Sequence, residues 1–278
     1  MKEQLELPRL LVIAGSDSSG GAGIQGDIKT GAAIGVDVLT AITAITAQNS
    51  LGVQAVEPVT IDTLRNQISS ICSDIPPHAV KLGMLYDGAR VCAVADAIKT
   101  YRLRDIVCDP VLVSTSGSVL LDADGREALL SFLPLFRLLT PNAVEAAVLT
   151  GMPVRNSIEM VAAGRALLDM GANAVLLKGG HFTGGDSIDI LLRREIAEPL
   201  LFPAPRIETR NDHGTGCALA TSIASGLAIG LSLPDAVAKG CQFVRTSLQE
   251  SVHLWNGAGR GSMNLLQTPV QHRQRPSF

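Results

Sequence analysis

The residues best suited to chemistry lie in one stretch near the C-terminal end, NDHGTGC at residues 211–217. Gly214 and Gly216 permit a tight turn that brings backbone N–H groups, including that of Thr215, close to a ligand. The apolar run at 218–230 predicts that a helix follows, and the unpaired N–H groups of a helix start favour anions. Cys217 falls in the first turn, where the helix dipole favours the thiolate. We therefore expect an anion site beside an ionisable thiol, an arrangement that suits phosphoryl transfer. The alternative is that the turn is merely a tight connection and the cysteine a small buried apolar residue.

Composition and charge narrow the class of protein. The chain has 278 residues, of which 46% are hydrophobic and 18% charged, with 27 glycines. This mixture excludes disorder and is typical of a buried sheet covered by helices. A net charge of −3 gives no reason to expect nucleic acid or an anionic membrane as a partner. Small metabolites are the better expectation.

The cysteines and the termini of the chain point to the cytoplasm. Five cysteines are an odd and widely spaced set, which favours free thiols in a reducing compartment over zinc binding. The N-terminus MKEQLELPRL lacks the apolar run of a signal peptide. Residues 214–234 carry no charge and approach transmembrane length, but they are rich in Ser, Thr and Gly and begin with a polar turn. We interpret them as a buried helix.

Apolar runs and capping signals predict alternating strands and helices, and hence a mainly parallel sheet with helices on both faces. The strands are expected at 9–14, 38–46, 79–85, 106–108, near 138 and at 174–177, with a hairpin at 187–202. The helices are expected at 24–34, 62–71, 87–99, 124–132, 144–149, 157–170, from 218 and at 234–253. No repeat or linker divides the chain, so residues 1–278 are interpreted as one domain with a flexible tail from about 256.

Polar or otherwise distinctive residues follow several predicted strands. In open α/β sheets, ligands bind beyond the carboxyl ends of the strands. Each residue taken alone is as compatible with a turn or a cap as with a ligand contact. Together they predict a site at that edge of the sheet: Asp17, Gln48, Met84, Asp109, Asn142 and Lys178.

Three of these positions, and one nearby acid, suit a nucleotide with magnesium. No Walker A motif is present, so other groups must hold the phosphates. Asp109 and Glu145 could bind Mg²⁺ directly or through water, although Glu145 fits a helix first-turn acid equally well. Lys178 could neutralise phosphate, and Asn142 could contact the nucleotide or cap the next helix.

A dinucleotide-binding fold is the main competing interpretation. GAGIQG at 21–26 matches the GxGxxG pattern after a strand and into a helix. That fold needs an acid about 20 residues further on, at the end of the second strand, to bind ribose. Gln48 and Asn49 stand there instead, which disfavours an NAD-dependent dehydrogenase.

Seven stretches in order resemble the hydroxymethylpyrimidine/phosphomethylpyrimidine kinases, the thiamine-biosynthesis branch of the ribokinase-like superfamily. They cover about residues 9–255: AGSDSSGGAGIQGDIKT (14–30), TAITAQNS (43–50), VKLGML (80–85), CDPV (108–111), TPNAVEA (140–146), LKGGH (177–181) and HGTGC (213–217). The resemblance implies a ribokinase-like three-layer α/β sandwich, an ATP- and Mg²⁺-dependent kinase and a homodimer. Cys at 217, where ribokinases usually carry Asp, resembles the pyrimidine-kinase branch.

The resemblance also implies roles for individual residues. Gly15, Asp27, Gln48 and Met84 would line the pyrimidine pocket, and an amide such as that of Gln48 can both donate to and accept from an aminopyrimidine edge. The residues that would bind ATP and Mg²⁺ are Asp109, Asn142, Glu145 and Lys178. Cys217 would deprotonate the substrate hydroxymethyl group, while the N–H groups of residues 214–217 stabilise the transferring phosphoryl group.

The chain also departs from the family. Members often carry Lys and Asp at the positions of Thr115 and Ser118, so contacts of that loop with the nucleotide are in question. We expect no fused second thiamine enzyme, because the C-terminal extension beyond the match is short. Pyridoxal kinase of the same fold is the closest alternative activity. A non-catalytic pyrimidine sensor is disfavoured because it would need neither Cys217 nor Lys178.

Overall fold

A computed structural model of the chain describes residues 6–113, 117, 119–180 and 187–267. Within those ranges one nine-stranded sheet forms the centre, in the order β3-β2-β1-β4-β5-β6-β7-β8-β9. The six strands from β2 to β7 in that order are parallel, whereas β3 at one edge and β8 and β9 at the other are antiparallel to their neighbours. The mainly parallel sheet predicted from the sequence is confirmed.

The strands and helices alternate along most of the chain. The strands are β1 (Arg9–Asp17), β2 (Asp37–Asn49), β3 (Gly52–Pro58), β4 (Ala79–Leu82), β5 (Ile106–Cys108), β6 (Leu138–Leu139), β7 (Ala174–Leu177), β8 (Ser187–Arg193) and β9 (Ile196–Ala204). The helices are α1 (Gly23–Ile34), α2 (Ile61–Asp74), α3 (Gly88–Thr100), α4 (Ala123–Ser131), α5 (Ala143–Thr150), α6 (Ser157–Asp169), α7 (Thr215–Ala228) and α8 (Leu233–Ser251), with a 3-10 turn at Leu133–Leu135.

Strand β1 shows how the sheet separates two hydrophobic layers. Its side chains alternate in direction, so Leu11 and Ile13 pack on one face and Leu10 and Val12 on the other. The first face is covered by α2, α3, α4, α5 and α6, and the second by α1, α7 and α8. Both faces of the parallel strands are therefore buried, which explains why these strands are apolar at nearly every position.

Strand β3 was not predicted. Its sequence GVQAVEP contains Gly, Gln, Glu and Pro and lacks a continuous apolar face. It forms a strand because the β2–β3 turn folds it back antiparallel onto β2, which supplies its backbone partners. Propensity is thus overridden by pairing at this edge of the sheet.

The C-terminal segment corrects the expectation of a flexible tail from about residue 256. Met263 and Leu265 are buried, and they pack in the layer formed with α1, α7 and α8. Residues 257–261 also hydrogen-bond to Ser50 and Arg210. The segment therefore braces the β2–β3 turn, and the rest of the expected tail, from 268, lies outside the described residues. No helix in the described part of the chain is long and apolar enough to cross a membrane.

Candidate active site

Two glycine-rich turns meet at the carboxyl edge of the parallel strands. Gly214 has φ of +86° and caps α7, and a Cβ at this position would lie 2.0 Å from the carbonyl oxygen of Gly21. Only glycine permits both that conformation and that approach. Thr215 holds the turn, because its hydroxyl and its N–H both donate to the carbonyl of Asp212. The turn that follows β1 is thereby locked against the start of α7.

The first turn of α7 faces the cavity. The N–H groups of Gly216 and Cys217 have no hydrogen-bond partner among the described residues, as expected for a helix start. A Cβ on Gly216 would lie 3.2 Å from Lys178 Nζ and 3.4 Å from the carboxylate of Asp109. Gly216 therefore lets these charged groups approach the helix start closely. The two unpaired N–H groups and these charged side chains therefore meet at one place beside the cavity.

The thiol of Cys217 does not behave as the helix position alone predicts. Burial raises its pKa to about 11, and the carboxylates of Asp27 and Asp109 act in the same direction. The positive charge of Lys81 and the N–H of Gly23 lower the pKa but do not outweigh burial. Desolvation therefore opposes the effect of the helix dipole on this thiol and exceeds it.

Asp27 was expected to line the pyrimidine pocket, and the structure corrects this. Its side chain is fully buried, with Oδ2 2.7 Å from Lys81 Nζ and Oδ1 accepting from the Thr221 hydroxyl at 2.6 Å. Burial alone would lower the pKa of Lys81, but the adjacent carboxylate raises it, so the lysine is charged. Asp27 lies behind the cavity wall, and Lys81 stands between it and the cavity.

Lys178 joins two carboxylates at one end of the cavity. Its Nζ lies 2.7 Å from Asp109 Oδ1 and 3.7 Å from Glu145 Oε2. Burial would lower the pKa of Lys178, but the two carboxylates raise it and keep it charged. For Glu145, burial dominates and raises the pKa to about 7, despite Lys178.

Asn142 and Glu145 form a capping box at the start of α5. The side chain of Asn142 accepts from the N–H of Glu145, and the Glu145 carboxylate accepts from the N–H of Asn142. Both residues thus have the structural role that the sequence left open. Both also line the cavity, so that role does not remove them from the site.

The acidic groups suit magnesium in a particular way. Hard carboxylate oxygens are the ligands that Mg²⁺ prefers, and it commonly keeps several waters and phosphate oxygens as further ligands. In the described residues no group of three or more His, Cys, Asp or Glu side chains could hold an ion alone. Asp109 and Glu145 could hold an ion only if water and phosphate supplied its remaining ligands.

The opposite end of the cavity, which we call the ring pocket, is suited to a flat ring. Gly15, Gln48 and Met84 all line it, and a Cβ on Gly15 would lie 3.1 Å from Met84 Cε. Leu120 and Val111 pack beside Met84. The structure thus brings together three of the four residues predicted for a pyrimidine pocket.

His213 links this ring pocket to the turn after β1. Its Nε2 lies 2.9 Å from Asp17 Oδ2 and 3.1 Å from Gln48 Nε2. Burial would raise the pKa of Asp17, but hydrogen bonds from His213, Ser19 and Ala22 lower it to about 2. Both residues lie in stretches that the sequence analysis singles out. Nothing in the sequence predicts that they touch, because they are 196 residues apart.

The cavity has a volume of about 1430 Å³. This exceeds the roughly 300–1,000 Å³ of a typical small-molecule pocket, so two substrates can be accommodated together. Much of the remaining wall is apolar, and the sequence analysis does not predict it. The periodicity of α8 does mark a buried face on that helix. The apolar residues of this wall are Phe202, Ile207, Ala238, Cys241, Val244 and Leu248. Thr115, Ser118 and His181, which the motif comparison singled out, lie outside the described residues.

Comparison of the sequence with known protein families identifies one family. The profile of the phosphomethylpyrimidine kinase family matches residues 17–263. The hydroxymethylpyrimidine/phosphomethylpyrimidine kinase of Rhizobium meliloti is 44% identical over 95% of this chain and 97% of its own.

Solved structures of two enzymes share the fold. The phosphomethylpyrimidine kinase of Clostridium difficile matches with a TM-score of 0.75 and 39% identity, covering 85% of this chain and 97% of that one. The pyridoxal kinase of Bacillus subtilis, solved as an ADP complex, matches with a TM-score of 0.81 and 31% identity, covering 88% of this chain and 93% of that one.

Proposed function

Because the chain belongs to the phosphomethylpyrimidine kinase family, we propose that it transfers the terminal phosphoryl group of ATP to 4-amino-5-hydroxymethyl-2-methylpyrimidine. A second transfer, to the monophosphate, gives the diphosphate used in thiamine biosynthesis. The observation that supports this proposal is a single cavity with two different ends. The ring pocket with Gln48 and Met84 forms one end, and Lys178 with two carboxylates forms the other. The start of α7, with Cys217, lies between them.

The reaction follows from this order of groups. The hydroxymethyl oxygen attacks the terminal phosphorus, the bond from phosphorus to the bridging oxygen breaks, and ADP leaves with that electron pair. The hydroxyl proton passes to the thiolate of Cys217. The N–H groups of residues 214–217 and the charged Lys178 stabilise negative charge on the transferring group, as preorganised donors do in a site closed to water.

The raised pKa of Cys217 limits but does not forbid this role. A thiol with a pKa of about 11 is rarely ionised at neutral pH, yet its thiolate is a strong base when it forms. Phosphoryl transfer depends mainly on positioning and charge stabilisation, so little proton transfer is needed early in the step. Lys81 is the nearby positive charge that favours the thiolate and partly offsets burial.

Asp109 and Glu145 are the residues we assign to magnesium. When bound, Mg²⁺ neutralises charge on the phosphates and orients them. Asp109 is held by the hydroxyl of Thr140 at 3.1 Å, and Glu145 by the N–H of Asn142 at 2.8 Å. These contacts fix both carboxylates on the side of the cavity that faces Lys178.

Pyridoxal kinase activity is the second candidate. The likeness to the B. subtilis pyridoxal kinase at 31% identity favours it, and a hydroxymethyl group on a flat heterocycle is common to both substrates. The higher identity to the pyrimidine kinases places it second.

We further propose that the protein is a homodimer that works in the cytoplasm. The β2–β3 edge of the sheet exposes Ile45 and Leu51, which a second copy could cover. All five cysteines are free thiols, as is usual in a reducing compartment. Light scattering of the purified protein tests the dimer, and a monomer at micromolar concentration would refute it.

The function is tested by measuring ATP consumption with the hydroxymethylpyrimidine, its monophosphate and pyridoxal in parallel. Conversion of both pyrimidines to the diphosphate is the expected result. Turnover of pyridoxal alone would move the protein to vitamin B6 metabolism, and turnover of none would refute the kinase. Cys217→Ala, prepared identically, controls for contaminating kinases.

A further inference from the structure

Gln48 is held by two neighbours whose hydrogen-bonding capacity is limited. Its Nε2 lies 3.1 Å from His213 Nε2, and its Oε1 lies 3.3 Å from Thr46 Oγ1. The same His213 nitrogen lies 2.9 Å from Asp17 Oδ2. A ring nitrogen carries either a hydrogen or a lone pair, so it is either a donor or an acceptor toward both neighbours.

The contacts of Asp17 show whether His213 Nε2 is a donor or an acceptor. The residue is only 3% exposed, and its carboxylate accepts from the N–H of Ser19 at 2.8 Å, the hydroxyl of Ser19 at 2.7 Å and the N–H of Ala22 at 2.8 Å. A carboxyl group surrounded by donors is ionised and can only accept. His213 Nε2 must therefore carry a hydrogen.

A donor at His213 needs an acceptor on Gln48. The oxygen and nitrogen of an amide exchange places in a 180° turn that barely moves the heavy-atom positions. In the turned orientation, Gln48 Oε1 accepts from His213 Nε2, which it shares with Asp17.

Thr46 independently requires the same orientation. Its hydroxyl hydrogen is donated to the carbonyl oxygen of Ser16 at 2.8 Å, so the hydroxyl can only accept from Gln48. The turned amide places its NH₂ group there. Both neighbours are satisfied by this orientation, and neither is satisfied by the opposite one.

We propose that Asp17 and His213 are positioning residues that fix the amide of Gln48 in the turned orientation and thereby set substrate preference. The proposal rests on the proposed function for its choice of substrate. One N–H and one oxygen lone pair of Gln48 remain for a ligand. An aminopyrimidine presents a matching ring nitrogen and an amino group on neighbouring atoms, whereas pyridoxal has no amino group beside its ring nitrogen.

The protonated nitrogen of His213 can be observed directly. Long-range ¹H–¹⁵N spectra of the ¹⁵N-labelled wild-type protein distinguish a hydrogen on Nε2 from one on Nδ1, and the His213→Gln spectrum assigns the resonance. We expect the hydrogen on Nε2. A hydrogen on Nδ1 alone would overturn the proposal, and this readout does not depend on which substrate is phosphorylated.

Kinetics test the consequence for substrate binding. His213→Leu removes the donor and should raise KM for the hydroxymethylpyrimidine about tenfold, the equivalent of one hydrogen bond, with little change in kcat. His213→Gln should restore most of the loss, because its NH₂ group can reach both acceptors. Ser19→Ala removes a different partner of Asp17 and should leave KM unchanged.

The outcomes separate this proposal from the function. If the wild type phosphorylates both pyrimidines but His213→Leu and His213→Gln have the KM of the wild type, the positioning role is wrong and the function stands. If the wild type phosphorylates pyridoxal alone, the proposed function fails, and so does the part of this proposal that concerns preference.

Discussion

Lys81 Nζ lies 2.7 Å from Asp27 Oδ2, and neither side chain has any exposed surface. Thr221 donates to the other oxygen of Asp27 and stands one helical turn after Cys217 on α7. The ion pair therefore joins β4, α1 and α7 behind the thiol. A buried pair of this kind is stable only while both charges are present.

Removing one partner of this pair should strongly destabilise the protein. Lys81→Met leaves the carboxylate of Asp27 buried without its counter-ion, and we expect the free energy of unfolding to fall by about 3–5 kcal/mol. Urea denaturation measures it. The double variant Lys81→Met/Asp27→Leu should recover most of the loss. A double variant as unstable as the single one would show that charge is not the cause.

The reactivity of Cys217 should rise steeply with pH. Burial raises its pKa to about 11, so between pH 7 and 9 the thiolate fraction, and the rate of alkylation by iodoacetamide, should increase about tenfold per pH unit. Mass spectrometry of peptides follows Cys217 separately. The exposed Cys92 is the control, because bound ATP and pyrimidine should protect only Cys217. A rate independent of pH would refute the raised pKa of Cys217.

Gln48→Ala should weaken pyrimidine binding selectively. It removes the amide that faces the ring pocket, and we expect KM for the hydroxymethylpyrimidine to rise about tenfold or more while KM for ATP is unchanged. Gln54→Ala on the exposed face of β3 is the matched control. An unchanged pyrimidine KM would place the ring elsewhere in the cavity.

Lys178→Met should act on the nucleotide side. The change removes the charge that bridges Asp109 and Glu145, and loss of a donor to the transferring group should lower kcat about a hundredfold or more. Steady-state kinetics measure kcat, and direct binding measures the affinity for the pyrimidine, so the two ends of the cavity are tested separately. Lys99→Met, whose ammonium group packs on Phe132, serves as the control. Pyrimidine affinity that falls as much as kcat would contradict this division of the cavity.

Asp17 should stabilise the fold in a pH-dependent way. Its pKa of about 2 in the folded protein lies below the ordinary 3.8, so its contribution is present above about pH 4 and is lost as the pH falls toward 2. Asp17→Asn should therefore cost about 2 kcal/mol at pH 7 and progressively less below pH 4. Urea denaturation at pH 7, 5 and 3 compares the two proteins. A difference that does not vary with pH would contradict the ionised carboxylate.

Most of the strands and helices, with the exception of β3, and the edge of the sheet that carries the site can be predicted from the sequence. Runs such as 174–177 are apolar because both faces of a parallel strand are buried, so local composition was sufficient to place them. Residues at the ends of strands, such as Gln48, Asp109 and Lys178, share one edge in any parallel sheet. The motifs around Gly23 and Gly214 likewise carry their backbone requirements locally.

Which side chains face the cavity, and how they are charged, depends on contacts between distant parts of the chain. Asp27 turns away from the ring pocket because Lys81, 54 residues later, supplies its counter-ion. The pKa of Cys217 is high because burial depends on how α7 packs, and the position of the residue within the helix cannot report it. The contact between Asp17 and His213 forms only when the first and last parts of the chain fold together, and no local pattern encodes such a contact.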